Sequence, residues 1–433
     1  MRTLTTKSTK ASLAFGGALA LAAGLLSACS SSPEASAPAT VAAKVAATDA
    51  KARTAFFAAP SKAGKAEAGT LVRHQEVTAV PGVPSGAKVQ RILFHSRTIY
   101  GVDSIQSGYV ITPAGKAPSG GWPTVAWAHG TSGFGAPCGP SKFDATGPSG
   151  IYLLPKLAEF LNAGYAVSAA DYQGLGIADG VHPYLVGKSE GQSVLDALRA
   201  SNHLLGSAVS GQALIYGHSQ GGHAALFAAE MAPTYAPELK LLGVVAAAPA
   251  TGMSSLISVV SSNLGASFMP FSIPAAWGWV ENYNDLPQNL LFTQVGAAFA
   301  KAQVAKACSS QLSEAIKAAE VKPTDLFNPE AGGDATVVAH GRLNDPGRVA
   351  TKMPMLVIQG DADTTVPVVL TNAYVSGSAC KRGDTISYLQ SPTATHGSIV
   401  DVGASQVISW MGDRLAGKAA PSTCGALGDS GLL

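Results

Sequence analysis

From residue 89 onward the chain sets short apolar, β-branched runs against longer stretches with helical spacing. Residues 89–94 and 109–112 partly alternate polar and apolar side chains, the mark of strands with one solvated face, and predict an early antiparallel pair. The runs 124–128, 166–170, 213–216, 242–247, 355–359 and 385–389 are short and mainly apolar, which suits strands covered on both faces. Helical patterns at 151–163, 191–205 and 222–231 lie between them. Repeated strand, helix, strand order predicts an α/β fold with a mainly parallel, doubly wound sheet. From 251 to about 350 this rhythm stops, and Phe268, Met269, Phe271, Trp277 and Trp279 stand among Pro and Gly. So long a piece between two core strands predicts an inserted helical lid or cap; the plainer alternative is an insertion that only covers the sheet edge. The core is then expected at 56–250 and 351–433, with no repeat of solenoid period.

The N-terminal end follows different rules. Arg2, Lys7 and Lys10 precede an apolar stretch at 11–26, too short to span a bilayer and laid out as a signal peptide over residues 1–28. Leu26-Ser27-Ala28-Cys29 resembles a bacterial lipobox, whose cysteine takes up a diacylglycerol; an ordinary signal peptide ending near a cysteine is the alternative. Residues 29–55 are rich in Ala, Ser, Pro and Thr. Too apolar-poor to offset their ordering entropy, they are expected to form a flexible tether. The expectation is an exported protein of the cell envelope, at the outer membrane or the cell surface, with a membrane as partner through the lipid; release is the alternative.

Composition narrows the partners further. A formal net charge of +2 gives no reason to expect nucleic acid. Of the 5 cysteines, setting aside Cys29 leaves Cys138, Cys308, Cys380 and Cys424. An even remainder in an exported chain suggests two disulfides, with three pairings open. A metal site is not expected, because no C-x-x-C pair and no cysteine with a histidine three to five residues away is present.

The chemistry centres on Gly217-His218-Ser219-Gln220-Gly221, which follows the apolar run ending at Tyr216 and precedes a helical pattern. Strand, sharp turn and helix form the context of a nucleophile elbow, and with it the α/β-hydrolase fold. The serine hydroxyl needs a base, and the base needs an acid to hold its tautomer. In this fold the order is serine, acid, histidine. Asp363 is the expected acid, fourth in Gly360-Asp361-Ala362-Asp363-Thr364-Thr365-Val366-Pro367, with Asp361 as fallback and expected to cap the turn. Beyond the elbow only His340 and His396 remain, and His396 alone follows the acid. The oxyanion donors are expected to be the N–H groups of Gln220 and, after the strand at 124–128, of Thr131. His129 is expected to shape that loop, and His218 and His223 to pack locally. Asp171, after another core strand, is expected on the rim of the site.

With these residues placed, the chain resembles the secretory lipases, the group of Candida antarctica lipase A and exported bacterial lipases. The likeness runs from about Phe56 to near the C-terminus. Besides the elbow it rests on Asp171-Tyr172-Gln173-Gly174-Leu175-Gly176, on His182-Pro183-Tyr184-Leu185-Val186-Gly187-Lys188-Ser189-Glu190-Gly191, and on Leu195-Asp196-Ala197-Leu198-Arg199-Ala200. The resemblance implies an enzyme on triacylglycerol or simpler carboxylic esters, a helical lid and no cofactor; a monomer is expected. It also implies disulfides Cys138–Cys308 and Cys380–Cys424. Aromatic or polymeric esters are the alternative substrates; a peptidase, an acyltransferase or a non-catalytic envelope lipoprotein are the other classes the same scaffold accommodates.

Overall fold

The computed structural model describes residues 51–425, apart from 59, 61–63, 148, 149 and 261. Cys29, the signal peptide and residues 29–50 of the expected tether lie outside the described residues. The end of that expected tether is ordered instead: residues 53–56 are helical, Arg53 pairs with Asp144 at 3.0 Å, and Phe56 and Phe57 pack against Leu93, because two adjacent aromatic side chains find a buried place there. The compact unit that holds the site begins at Arg53.

Its strands are β1 (Leu71–Val77), β2 (Lys88–Arg97), β3 (Asp103–Thr112), β4 (Trp122–Ala128), β5 (Ala166–Ala170), β6 (Val209–His218), β7 (Lys240–Ala247), β8 (Met355–Gly360) and β9 (Ile386–Ser391). Among the described residues they form a nine-stranded sheet in the order β1-β2-β3-β5-β4-β6-β7-β8-β9. The first three strands and β5 pair antiparallel, and from β5 through β9 every pairing is parallel. Period-two alternation sends Ala126, Ile215, Val244 and Val357 to one buried face and Trp127, Leu214, Val245 and Leu356 to the other. Both faces are dry, so the central strands read as unbroken apolar runs. β1 is absent from the expectations above. Its Arg, His, Gln and Glu leave it half exposed at the sheet edge, and little apolar periodicity marks it.

The helices are α1 (Leu157–Asn162), α2 (Gly187–Leu205), α3 (Gln220–Tyr235), α4 (Met253–Val260), α5 (Met269–Asn282), α6 (Gln294–Gln303), α7 (Ser309–Ala319), α8 (Ala335–Leu343), α9 (Val368–Tyr374) and α10 (Ala404–Leu415), besides shorter turns. α2 and α3 cover one sheet face, α1 and α10 the other. The expected helix at 151–163 shrinks to α1. Pro155 disfavours helical backbone at the residue before it, and Lys156 turns left-handed with φ 55°. The freed stretch carries Tyr152 beneath the loop that follows β4, where its hydroxyl accepts the Gly130 N–H at 3.1 Å.

Between β7 and β8 run α4 to α8. Their apolar faces share one buried cluster, which includes Ile257, Ile273, Trp277, Leu312 and Phe327 together with Phe134, Tyr184 and Val186 from the core loops. The Cys138–Cys308 disulfide ties this insertion to the loop after β4, across 170 residues of sequence, and Cys380–Cys424 pins the C-terminal segment beside β9. A bridge closing so long a loop removes many conformations from the unfolded chain.

Candidate active site

β6 delivers Ser219 at its C-terminal end, and α3 starts on the next residue. Ser219 has φ 58° and ψ −120°, a conformation that costs an L-residue on the order of 1–3 kcal/mol and persists only where the surroundings enforce it. They do so through three backbone bonds. The Ser219 N–H donates to the Ala247 carbonyl at 2.9 Å, and its own carbonyl accepts the N–H groups of His223 and Ala250, each at 3.1 Å. The flanking glycines are steric requirements. A methyl group on Gly217 would collide with the Gly221 carbonyl, and one on Gly221 with the Ala128 carbonyl at the end of β4. Gly221→Ala is therefore expected to abolish activity by displacing the elbow from β4, and to lower the melting temperature, both measurable on the purified variant.

β8 delivers the acid. Asp363 Oδ1 accepts the N–H groups of Thr365 and Val366, each at 2.8 Å, and Oδ2 accepts the Gln359 side-chain amide at 3.0 Å. The same Oδ2 lies 2.7 Å from His396 Nδ1, and His396 Nε2 lies 2.8 Å from Ser219 Oγ. Burial alone would raise the Asp363 carboxyl, but the His396 hydrogen bond and charge and the two backbone N–H groups hold it below the ordinary range. It is thus the carboxylate, and it fixes the Nδ1–H tautomer that leaves Nε2 free to take the serine proton. Asp361 is exposed and accepts only a long 3.3 Å contact from the Gln390 amide, rather than capping its turn. His340, also set aside above, bonds Asp285 within the insertion.

His218 lies against the His396 ring, with centroids 4.7 Å apart, and its Nε2–H donates to the His396 carbonyl at 2.8 Å. Burial and the neighbouring His396 pull it down to about 4, so at neutral pH it supports the loop without adding charge.

The loop after β4 is held on several sides. His129 is fully buried, with Nδ1 donating to the Gly130 carbonyl at 2.7 Å and its ring centroid 4.5 Å from that of Tyr172. Burial lowers its basicity, which leaves it neutral. The Tyr172 hydroxyl holds the His129 carbonyl at 2.9 Å. Thr131 Oγ1 meets the Tyr184 hydroxyl at 2.8 Å, and its carbonyl accepts the Ser309 hydroxyl of the insertion at 3.3 Å. Gln220 opens α3, so its N–H has no partner within the helix. The loop expected on the rim does something else. Asp171 is fully buried, receives the hydroxyls of Ser107 and Ser141 at 2.5 Å each, and braces this arrangement from within.

Above Ser219 opens a cleft of about 920 Å³, its mouth included, lined mostly by the insertion, with Met253, Ile257, Phe271 and Trp279 among its walls and Val366 and Leu370 from the core. An apolar cleft with one reactive hydroxyl at its edge suits a substrate that is mainly hydrocarbon.

Residues 152–423 match the secretory lipase family. The chain belongs to that family. This secretory lipase is 26% identical over 396 residues to "Lipase 4" of Candida albicans, which covers 85% of this chain and 82% of that one. It is 25% identical over 387 residues to a "Probable inactive lipase" of Mycobacterium tuberculosis, covering 84% and 82%. The X-ray structure of Candida antarctica lipase A in its closed state superposes with a TM-score of 0.70 at 18% identity, over 87% of this chain and 92% of that one, which establishes the α/β-hydrolase fold. As a secretory lipase the protein is a serine ester hydrolase of the lipase and esterase kind. Family and disulfides together point to export.

The buried pairing of one group beside the elbow had no signal in the secretory lipase sequence. Glu190 and His223 read there as parts of motifs, yet both are buried and paired with each other. No local pattern announces that a charge is buried, because burial depends on residues far away in sequence.

Proposed function

We propose that this protein is an exported carboxylic ester hydrolase that acts on lipid or other apolar esters through an acyl-enzyme formed on Ser219. The observation that carries the reading is the continuous line from Asp363 through His396 to Ser219 Oγ, at 2.7 and 2.8 Å, at the edge of the apolar cleft. His396 Nε2 takes the hydroxyl proton as Ser219 Oγ attacks the ester carbonyl. The N–H groups of Gln220 and Thr131 receive the oxyanion, and Asp363 stabilises the imidazolium. Protonation of the alkoxide by His396 releases the alcohol; water activated by the same ring then frees the acid. The insertion, residues 251–350, serves as the lid over this reaction.

Cys29, outside the described residues, carries the lipid that holds the enzyme at the envelope, and the stretch after it joins the lipid to the compact unit that begins at Arg53. The likeness to a protein named probable inactive makes direct assay decisive. Hydrolysis of p-nitrophenyl esters from acetate to palmitate is expected to favour the longer acyl chains, which fill more of the cleft. A maximum at acetate would turn the reading toward a short-chain esterase, and preference for aromatic or polymeric esters toward that alternative. Labelled palmitate fed to expressing cells is expected to enter the wild-type protein and not Cys29→Ser; an unlabelled wild type would discard the anchor.

A further inference from the structure

Beside the elbow lies a buried ionic group that the acyl-transfer steps do not use. Glu190 in the first turn of α2 and His223 in the first turn of α3 are 1% and 0% exposed, and Glu190 Oε2 lies 2.6 Å from His223 Nδ1. The other carboxylate oxygen accepts the Gln220 side-chain amide at 2.8 Å and the Leu185 N–H at 2.9 Å. That amide also donates to His182 Nε2 at 3.0 Å. The second ring nitrogen of His223 lies 2.9 Å from the carbonyl of Asn344, which closes α8 at the end of the insertion. The Asn344 side chain in turn accepts the Gly187 N–H and the Tyr283 hydroxyl, each at 3.0 Å.

Both atoms facing the His223 ring are acceptors, one a carboxylate and one a carbonyl. For both contacts to be hydrogen bonds, both ring nitrogens must carry protons. The ring is therefore an imidazolium, and it neutralises a carboxylate that would be costly to bury alone. The charged groups around it are Glu190 from α2, Asp345 from the segment after α8, and Glu230 from α3 itself. Burial by itself pushes the His223 ring down, but Glu190, the Asn344 carbonyl and Asp345 outweigh it and hold it above its ordinary range.

We infer that Glu190 and the His223 imidazolium are positioning residues of the oxyanion hole: they clamp Gln220, whose N–H follows the nucleophile, and fasten it to the end of the insertion. Gln220 is gripped at its side chain by Glu190, and His223 is bonded through its own N–H to the Ser219 carbonyl. The Gln220 side chain and His223, both in the first turn of α3, are thereby tied to one charge pair. The inference rests on the reading of Ser219 as nucleophile and Gln220 as oxyanion donor. Because a donor N–H misplaced by a fraction of an ångström weakens the transition state more than the bound ester, the effect belongs in kcat rather than KM.

The test combines kinetics with a spectroscopic signature. Glu190→Gln and His223→Gln are each expected to lower kcat about 10- to 100-fold with KM changed less than about threefold. They should slow labelling of Ser219 by a fluorophosphonate in the same proportion, since that reaction also develops charge on an oxygen in the hole. The double variant, which removes both buried charges, is expected to be faster than either single one. Gln220→Met keeps the N–H and loses only the clamped amide, so it should reproduce the kcat loss even where the charge variants fold poorly. In protein labelled with ¹⁵N-histidine, His223 is expected to show two protonated ring nitrogens at a pH where exposed histidines are neutral. A His223 ring with one proton, or Gln220→Met with unchanged kcat, would overturn the inference. Failure of the fluorophosphonate to label the wild type, or labelling that survives in Ser219→Ala, would instead remove the nucleophile assignment on which it stands, whatever the ring nitrogens show.

Discussion

Ser219→Ala is expected to lower kcat about a millionfold while leaving KM nearly unchanged, the pattern of losing a nucleophile that acts as a unit with its base. The hydroxyl is the group His396 Nε2 reaches at 2.8 Å, and His218 against the ring is held neutral and engaged with the His396 carbonyl. What survives should be the slow hydrolysis that the oxyanion donors and the cleft support alone. Stability supplies an independent arm. Alanine at 219 keeps a side chain in the φ 58° conformation and should leave the unfolding free energy within about 0.5 kcal/mol of wild type. Ser219→Gly removes the Cβ and should be more stable than Ser219→Ala by about 1 kcal/mol, because the backbone there is strained. Denaturant unfolding of the two variants measures that difference. Equal stabilities would mean the elbow stores no strain, and residual activity close to wild type in either would refute the serine mechanism.

Asp363→Asn is expected to cost about 10⁴ in kcat, the size seen when an acid of this type loses its charge with geometry kept. The site shows why. Asp363 Oδ1 already accepts two backbone N–H groups, so an asparagine must place its carbonyl there and turn its NH₂ toward Gln359 and His396. A donor then faces the His396 Nδ1–H. The ring escapes by moving its proton to Nε2, where it points at Ser219 Oγ and can no longer accept from it. Asp361→Asn, two residues away and exposed, is expected to change kcat less than about threefold. Kinetics of the pair at neutral pH decide the matter: equal losses, or a larger loss at 361, would move the acid.

How much of this was legible in advance differs by element. The central strands announced themselves because both their faces are dry, so composition alone marks them; β5, expected at 166–170, is Ala166–Ala170. β1 did not, because an edge strand with Arg73, His74 and Glu76 obeys no core pattern. The helix expected from 151 failed at Pro155, where one missing N–H outweighed the apolar spacing, and the consequence was functional: Tyr152 became a support for the Gly130 loop. Asp171, placed by its sheet position on the rim, turned out to be an internal brace.

By itself the sequence determined the turn at 217–221 and a doubly wound sheet, because each depends on steric or hydrophobic rules that act over a few neighbouring residues. The tertiary structure brought the expected Asp363 to His396 and Cys138 to Cys308, and it alone showed that Glu190 and His223 form one buried charge pair. Those outcomes depend on distances between residues as far as 170 positions apart in the chain. Such distances are set by how whole layers pack, and no local pattern encodes them.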